Sequence, residues 1–433
     1  MSVVAFAVLA SPAAAQDQGL DVSGSVRVRG EALDGQPRVD TATDDHAVFL
    51  RVRLAASYTS GPLAIGGEVI DSRAYFEPRG STVSSSEVDA LEPVQAWLQI
   101  APTENARLRL GRFTMNLGSG RLVVDENFRN TTNGFTGAKF DWGNAAGDAL
   151  TAFWTMPQQR LPDDDAGIRS DRLVRDRERT ALQFYGAIGT KAGVLGGDLE
   201  AYAFRLQERD APDFLTRNRR LWTVGGRLLT NAAPGRTDYE LEAVWQSGTA
   251  RLSSAATDLT DRRVSAVFVH GGLGYGLPGG WRPRLRVAAD YASGNGRGDG
   301  IGRFDTLYGA RSFEFAPSGL YGEVARANLI SVETRLELAP TSRTDAYLAV
   351  RPLWLADATD SFGQTGVRDA TGASGRTVGT QFEARARWWA VPERIRMAAG
   401  GVYLAKGRFL RNAPNAPATG DTRYAYAEVT YSF

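Results

Sequence analysis

Hydrophobic and polar residues alternate with a period of two, in segments of about ten residues, along most of the chain. Between residues 47 and 58, for example, Leu50 and Val52 alternate with Arg51 and Arg53. Because successive side chains of a β-strand point to opposite faces, each such segment is predicted to be a strand with one apolar and one polar face. Eighteen segments show this pattern, near 21–31, 47–58, 63–72, 91–101, 106–113, 135–142, 148–156, 179–189, 197–207, 219–230, 237–247, 262–275, 281–293, 327–339, 344–355, 377–390, 393–405 and 422–433.

The connections between the predicted strands alternate in length. Short, turn-like sequences such as 59–62 and 102–105 alternate with long ones such as 73–90, 114–134 and 294–326. An even number of antiparallel strands with this alternation, and with both chain ends on the short side, is typical of bacterial outer-membrane proteins. We therefore predict an all-β fold: a transmembrane, antiparallel up-and-down β-barrel of about 18 strands, with short periplasmic turns and long extracellular loops.

Both ends of the chain agree with export to the bacterial outer membrane. Residues 3–10 are apolar, and the alanines at 13–15 fit a signal-peptide cleavage site before Gln16. We expect a signal peptide at 1–15, whose missing basic segment suggests a truncated start, and one barrel domain at 16–433. The last strand ends in alternating apolar residues up to a terminal Phe433, the kind of strand that the outer-membrane assembly machinery recognises.

Composition excludes several classes of protein. The chain has no cysteine, which removes disulfides and thiol chemistry, and no apolar stretch long enough for a membrane helix. Its 50 basic and 49 acidic residues are spread along the whole length, which argues against a nucleic-acid partner. Mean hydropathy is −0.27, a value that an amphipathic barrel wall explains, because its polar face cancels its apolar one.

The two-residue period also assigns the charged side chains to a face. Charges facing lipid near the midplane cost about 2–4 kcal/mol each, so the polar face of each strand should line the lumen. The arginines predicted to face inward are Arg27, Arg29, Arg51, Arg53, Arg107, Arg109, Arg227, Arg284, Arg286, Arg335, Arg351, Arg385, Arg387, Arg394 and Arg396. The acidic residues predicted to face inward are fewer: Glu31, Glu68, Glu240, Glu242, Asp290, Glu333, Glu337, Asp345, Glu383 and Glu428.

An arginine-lined lumen suits the passage of anions. Guanidinium groups recognise carboxylates in a bidentate manner, and arginines two residues apart on one strand form a ladder along which a polyanion could move. The alternative is that arginine and glutamate networks only fill and rigidify the interior. Conduction requires weak attachment at many sites, since one tight site would trap the substrate.

Candidate catalytic and metal-binding features are weak. The two histidines are His46 in a predicted loop and His270 in a strand, and a structural role is the simpler interpretation of His270. The acidic run 163–165 is interpreted as solvated loop, and the glycine-rich stretch 294–302 lacks the lysine and helix of a phosphate-binding loop. We expect no enzymatic activity, no cofactor and no metal.

Residues 106–142 resemble the signature region of the alginate-export family of outer-membrane proteins. In that family, a strand ending in Leu-Gly-Arg precedes a loop with Gly-x-x-Arg-Leu, Arg-Asn and Phe-x-Gly. The matching residues are Gly111, Arg112, Gly118, Arg121, Leu122, Arg129, Asn130, Phe135 and Gly137. Weaker matches occur at 71–73, 95–98 and 304–315. Phe113 stands where the family pattern has glutamine, and the resemblance does not identify the polymer that is transported.

The resemblance implies a monomeric 18-stranded barrel whose arginine-rich constriction lets an anionic exopolysaccharide leave the periplasm. Our hypothesis is a passive export channel for an alginate-like polysaccharide or oligosaccharide; the alternative is a porin that takes up small anionic solutes or sugar acids. Other expected partners are outer-membrane lipid, lipopolysaccharide and periplasmic export components. We expect the connection 114–134 to narrow the lumen and 294–326 to form an external lid. The predicted substrate-binding residues are Arg107, Arg109, Arg112, Arg121, Arg129, Arg51, Arg53, Arg284, Arg286, Arg335, Arg351, Arg385 and Arg387.

Overall fold

All eighteen predicted strands are present in the structure, a computed structural model that describes residues 19–316 and 319–433. The predicted signal peptide at 1–15 lies outside the described residues. The strands are β1 Gly19–Asp34, β2 Asp45–Ser60, β3 Leu63–Tyr75, β4 Asp89–Thr103, β5 Ala106–Phe113, β6 Phe135–Gly143, β7 Ala149–Pro157, β8 Leu182–Val194, β9 Gly197–Glu208, β10 Arg220–Leu229, β11 Thr237–Ala250, β12 Arg262–Gly276, β13 Arg284–Ala292, β14 Leu329–Thr341, β15 Thr344–Trp354, β16 Thr377–Val391, β17 Ile395–Lys406 and β18 Thr422–Ser432. Two short helices, α1 Asp165–Arg169 and α2 Arg408–Asn412, lie in connections.

The strands form one closed antiparallel sheet. Each strand pairs with its neighbours in sequence, and β1 pairs with β18 from Ser25 opposite Ser432 to Asp34 opposite Arg423. The terminal Phe433 extends this seam by exchanging two backbone hydrogen bonds of 3.0 Å with Gly24. A β-carbon at Gly24 would lie 2.4 Å from the Phe433 ring, so glycine leaves the space that the terminal aromatic residue occupies. The predicted 18-stranded barrel is confirmed.

The connections define two ends of the barrel. At the turn end they are short, as at 61–62 and 104–105, and the described chain begins there at Gly19 and ends there at Phe433. At the loop end they are long, and we call them L1 to L9 in chain order. The loops used below are L2 at 76–88, L3 at 114–134, L4 at 158–181, L7 at 293–328, L8 at 355–376 and L9 at 407–421.

Burial follows the two-residue period. Along β12, residues at even positions such as Phe268 and His270 are buried inside the barrel, whereas Val269 and Leu273 are exposed on its outer surface. Several large aromatic side chains near the strand ends are also exposed on the outside: Tyr58, Trp142, Trp154, Trp281 and Trp388. The outer wall is therefore apolar, and the polar side chains turn inward.

The hydrophobic core lies inside the barrel, toward the loop end. Inward-facing Phe153, Phe184 and Phe204 on β7 to β9 contact one another with ring centroids 5.1–5.8 Å apart. Tyr308 of L7 packs against this group, 5.2 Å from the rings of Phe135 and Phe184. L7 therefore enters the barrel instead of only covering it.

The sequence pattern predicts some strand boundaries incorrectly. The strand predicted at 179–189 runs from Leu182 to Val194, because the three glycines at 186, 189 and 193 weakened the pattern in its second half. Arg394 was predicted to face the lumen, but it lies exposed in the turn between β16 and β17, so this assignment is wrong. None of the helices in the described part of the chain is long and apolar enough to cross a membrane.

The outward face of β12 tests the orientation of the wall. Val269 lies at the middle of this strand and Tyr275 near its turn end, both exposed on the outer surface. We expect Val269→Arg to lower the free energy of unfolding in phospholipid bilayers by about 2–4 kcal/mol, and Tyr275→Arg by at most about 1 kcal/mol, because the cost of a lipid-facing charge depends on depth. Denaturant titration of both variants measures this. Equal losses at the two positions would contradict the orientation.

Candidate functional site: the arginine-lined lumen

L3 and L7 fold into the barrel and meet at a buried arginine. Arg121 of L3 places one guanidinium nitrogen 2.6 Å from Glu240 and 2.5 Å from Glu242, both on β11. Its other terminal nitrogen pairs with Glu314 of L7, and the arginine is 2% exposed. Although burial disfavours the charged guanidinium, the three carboxylates hold the pKa of Arg121 well above its ordinary value. Arg121 therefore joins both loops to the barrel wall.

A second network, on the nearby strands β13 to β15, also holds L7. Arg351 on β15 pairs with Asp290 at 3.1 Å and with Glu333, and it also donates 2.7 Å to the backbone carbonyl of Glu314. Arg335 pairs with Glu333 at 2.7 Å. These side chains are at most 8% exposed, so their charges are already neutralised inside the protein.

His270 belongs to the same buried network. Its Nδ1 lies 2.7 Å from an Asp290 oxygen and its Nε2 lies 3.0 Å from a nitrogen of Arg286. The residue is 1% exposed. With both ring nitrogens engaged by wall residues, His270 fits the structural role that the sequence suggested.

L3 is held to β1 and β2 by arginines that bind neutral groups. Arg27 donates to the carbonyls of Asn127 and Arg129 at 2.7 and 3.0 Å, and Arg51 donates to the same two carbonyls at 3.0 and 3.1 Å. Arg27 and Arg51 are cross-strand neighbours, and neither forms a salt bridge with any residue that the structure describes. Asn130 completes this attachment by donating to backbone carbonyls of Leu50, among others.

The turn end of the lumen is more open. We call this part of the lumen, which is lined by inward-facing arginines, the turn-end chamber. Those of its arginines that form salt bridges have side chains that are 13–32% exposed. The arginines of the chamber are Arg53, Arg107, Arg109, Arg284, Arg286, Arg385, Arg387 and Arg396. Most of these residues have an acidic partner, as Arg387 has in Asp345 at 2.9 Å and Arg396 in Glu428 at 3.1 Å.

Arg107 and Arg109 differ from the rest of the chamber. Asp141, opposite Arg107 on β6, pairs instead with Lys139 at 2.9 Å. Arg109 donates to the neutral Gln99 at 2.7 Å and stacks 4.3 Å above the Trp97 ring. Within residues 19–316 and 319–433, neither arginine has a carboxylate partner, so both half-buried guanidinium groups face the lumen with uncompensated charge.

The remaining predicted arginines of this region lie at the loop end. Arg112, the last predicted residue before L3, pairs with Glu92 at 2.6 Å and with Glu178 of L4. Arg129 lines a cavity of about 360 Å³ between L2, L3, L4 and L7, together with Arg160. Burial and the neighbouring Arg160 lower the pKa of Arg129 to about 9.

The loop-end cavity contains polar groups that sequence reasoning missed. Arg160 donates 2.9 Å to Asn133 and has no salt bridge among the described residues. Gln158, 9% exposed, lines the same cavity, and neither polar atom of its amide has a hydrogen-bond partner in the described part of the protein. No local sequence pattern marks these residues, because the cavity forms only where four loops that are distant in sequence meet.

Arg121 tests how the lumen loops are held. We expect Arg121→Met to lower the free energy of unfolding by about 3–5 kcal/mol, because the substitution leaves buried carboxylates without a positively charged partner. Arg107→Met, which removes an arginine without an acidic partner, should change stability by no more than about 0.5 kcal/mol. Denaturant titration of the two variants in lipid compares them. Similar losses in both would show that Arg121 does not anchor L3 and L7.

Comparisons with known proteins agree with this architecture. A family model described as alginate export matches residues 18–423. Three structures from Pseudomonas aeruginosa share the fold: OpdQ (13% identity, 96% of this chain and 97% of that chain covered, TM-score 0.59), OccK8 (OprE) (13%, 96% and 98%, 0.59) and the outer membrane protein OpdK (12%, 95% and 98%, 0.58). No curated protein sequence matches the chain.

These findings confirm the location and the resemblance that the sequence indicated. The protein has a closed 18-stranded barrel, and it shares this fold with the outer membrane protein OpdK. Together with the family match, this places the protein in the bacterial outer membrane. The family match extends over nearly all of the described residues, far beyond the 106–142 signature. The chain belongs to the alginate export family.

Proposed function

We propose that the protein is a channel that passively exports an anionic, alginate-like polysaccharide or oligosaccharide through its arginine-lined lumen. The observation that carries the proposal is the pair Arg107 and Arg109, whose guanidinium groups face the open turn end without an acidic partner in the described ranges. The turn end is the periplasmic side of an outer-membrane barrel. A polyanion arriving from the periplasm therefore meets uncompensated positive charge first.

Other features of the lumen support movement of a chain of carboxylates. The paired arginines of the turn-end chamber are partly exposed, so a passing carboxylate can compete for them without desolvating a fully buried ion pair. Such partial, repeated attachment suits conduction better than one tight site. At the loop end, the cavity with Arg129, Arg160 and Gln158 offers donors of the kind that bind a carboxylated sugar.

The predicted residues divide into two roles under this proposal. Arg107, Arg109, Arg53, Arg284, Arg286, Arg385 and Arg387 would contact the substrate at the turn end, and Arg129 at the loop end. Arg121, Arg335 and Arg351 would instead hold L7 and L3 in place, because acidic partners and loop carbonyls already occupy them. Arg51 would position L3 through its carbonyls, and Arg112 would hold L4 through Glu178.

A second candidate function is uptake of small anionic solutes. Two observations favour it: L3 and L7 cross the lumen and narrow it, and the fold is shared with OpdK, a protein whose crystal structure has been determined with the carboxylate vanillate. The same arginines would then select monomeric carboxylates. In either case the expected protein is a passive channel without a catalytic residue.

Ion selectivity tests the role of the unpaired arginines. We expect the double variant Arg107→Gln, Arg109→Gln to lower the anion-to-cation permeability ratio by about twofold or more, since it removes the positive potential that gathers anions at the turn end. Reversal potentials in planar bilayers under a salt gradient measure this. The matched control, Arg79→Gln with Arg408→Gln, removes two exposed loop charges and should leave the ratio unchanged. Equal ratios in all three proteins would contradict the proposal.

Deletion of the gene separates the two functions. Under the export proposal, the deletion strain should accumulate anionic polysaccharide in the periplasm and release little to the medium, while uptake of radiolabelled small carboxylates stays unchanged. Complementation with the Arg79→Gln, Arg408→Gln variant should restore release. Normal polysaccharide release combined with reduced carboxylate uptake would instead establish the second candidate.

A further inference from the structure

Three carboxylates that the proposed channel does not use lie together beneath L4. Asp89 and Glu92 are at the loop end of β4, and Asp176 is in L4. One carboxylate oxygen of each residue lies within 4.8 Å of those of the other two. All three residues are at most 5% exposed. We call them the L4 acidic cluster.

An irregularity in β4 brings two of these carboxylates to the same side. Asp89 and Glu92 are three residues apart, so a regular strand would direct them to opposite faces. Leu91 between them has a positive φ of 52°, and the pairing of β3 with β4 shifts register at this point. Leu91 is consequently exposed on the outer surface while both acidic residues are buried.

Asp89 is a buried carboxylate without hydrogen-bond partners. The residue is 1% exposed, and among the described residues neither of its two carboxylate oxygens accepts a hydrogen bond. Burial of a carboxylate without a partner is strongly unfavourable, and buried charges in proteins are normally paired or coordinate a metal. Its position against the oxygens of Glu92 and Asp176 leaves these atoms directed at one another.

The surrounding positive charges do not balance the cluster. Arg112 pairs with Glu92 at 2.6 Å, but it also serves Glu178, and Arg175 approaches Glu92 only to 3.9 Å. Among the described residues, the salt bridges to the three carboxylates of the L4 acidic cluster and to that of Glu178 thus come from two guanidinium groups, those of Arg112 and Arg175. Arg160, the next cation, donates its hydrogen bonds to loop oxygens instead of to a carboxylate. Arg160 still attracts Asp89 and Asp176 electrostatically, so three guanidinium groups face four carboxylates and one negative charge remains in excess.

The other acidic cluster in the barrel shows the contrast. His270, Asp290 and Glu314 also bring their side-chain oxygens and nitrogens within 4.8 Å of one another. There, however, Arg121 binds Glu314 and Arg351 binds Asp290, so arginines already supply the positive charge. The L4 acidic cluster lacks such partners for Asp89.

We propose that the L4 acidic cluster binds a divalent cation of the Ca²⁺ class. Carboxylate oxygens are the ligands that Ca²⁺ prefers, and loop carbonyls and water commonly complete its coordination. The cation would join L4 to β4 at a point where L4 also contacts L3, since the backbone N–H of Gln158 donates 2.9 Å to the carbonyl of Gly134. It would therefore hold L4 in place beside the loop-end cavity.

Calcium titration of the full-length barrel tests this site. The protein is refolded in detergent without lipopolysaccharide, treated with EDTA, and titrated with CaCl₂ in a calorimeter. We expect saturable binding of one ion, with a dissociation constant at or below the range of about 10⁻⁴–10⁻³ M found in extracellular calcium modules. Asp89→Asn should weaken binding by about tenfold or more, since it removes a charged ligand while keeping the shape of the side chain. Asp163→Asn, a change of an exposed L4 carboxylate outside the cluster, is the matched control and should bind as the wild type does.

Protection of L4 from trypsin gives an independent readout. Arg172 and Arg175 of L4 have side chains 50% and 57% exposed and are accessible cleavage sites. Calcium should slow cleavage there in the wild type and in Asp163→Asn, but not in Asp89→Asn. If Asp89→Asn does not fold, Asp176→Asn replaces it, because that residue is in a loop. No saturable binding by the wild type would show that no calcium ion occupies the cluster, and equal binding by Asp89→Asn would show that the ion binds elsewhere; either result would overturn the proposal.

Discussion

The structure depends on the exclusion of charge from the outer surface of a closed sheet. In lipid, every backbone polar group must be satisfied within the protein, which the pairing of β1 with β18 achieves, and each charged side chain must turn inward. The chain satisfies this requirement with a strict two-residue period, visible in β12, where buried and exposed residues alternate. The near-zero net charge of the chain thus conceals a separation between an apolar outer wall and a densely charged interior.

The confined charges explain why L3 and L7 fold inward. On β11, Glu240 has wall arginines only at 3.5 and 3.8 Å, and L3 supplies a closer cation to it and to Glu242. Arg121 enters between Glu240 and Glu242, and Glu314 approaches from L7. Breaking such a pair leaves a buried charge, so the loops are held more firmly than exposed connections usually are. Under the proposed function, a substrate would use the charges that stay without an acidic partner, above all those of Arg107 and Arg109.

The two-residue alternation of apolar and polar positions and the turn residues are local features of the sequence. They were enough to predict the eighteen strands, the apolar outer face of the wall and most of the arginines that face inward. The partners of those arginines were not predictable, because Arg121 is 119 residues from Glu240 and 193 from Glu314 in sequence. The L4 acidic cluster was not predictable for a similar reason: Asp89 lies outside the strand predicted at 91–101, and only the irregular backbone at Leu91 brings it to the same side as Glu92. The inward assignment of Arg394 was wrong because the segment predicted at 393–405 began two residues before β17 begins.

The central claim is that a polymer of carboxylated sugars enters the lumen and moves along its arginines. Single-channel recording in a planar bilayer tests it most directly, with oligouronates of defined length added on the side of the turns. Oligouronates should cause brief, voltage-dependent interruptions of the ion current, and neutral oligosaccharides of the same length should cause none. Absence of interruptions, or equal interruptions by the neutral chains, would contradict it.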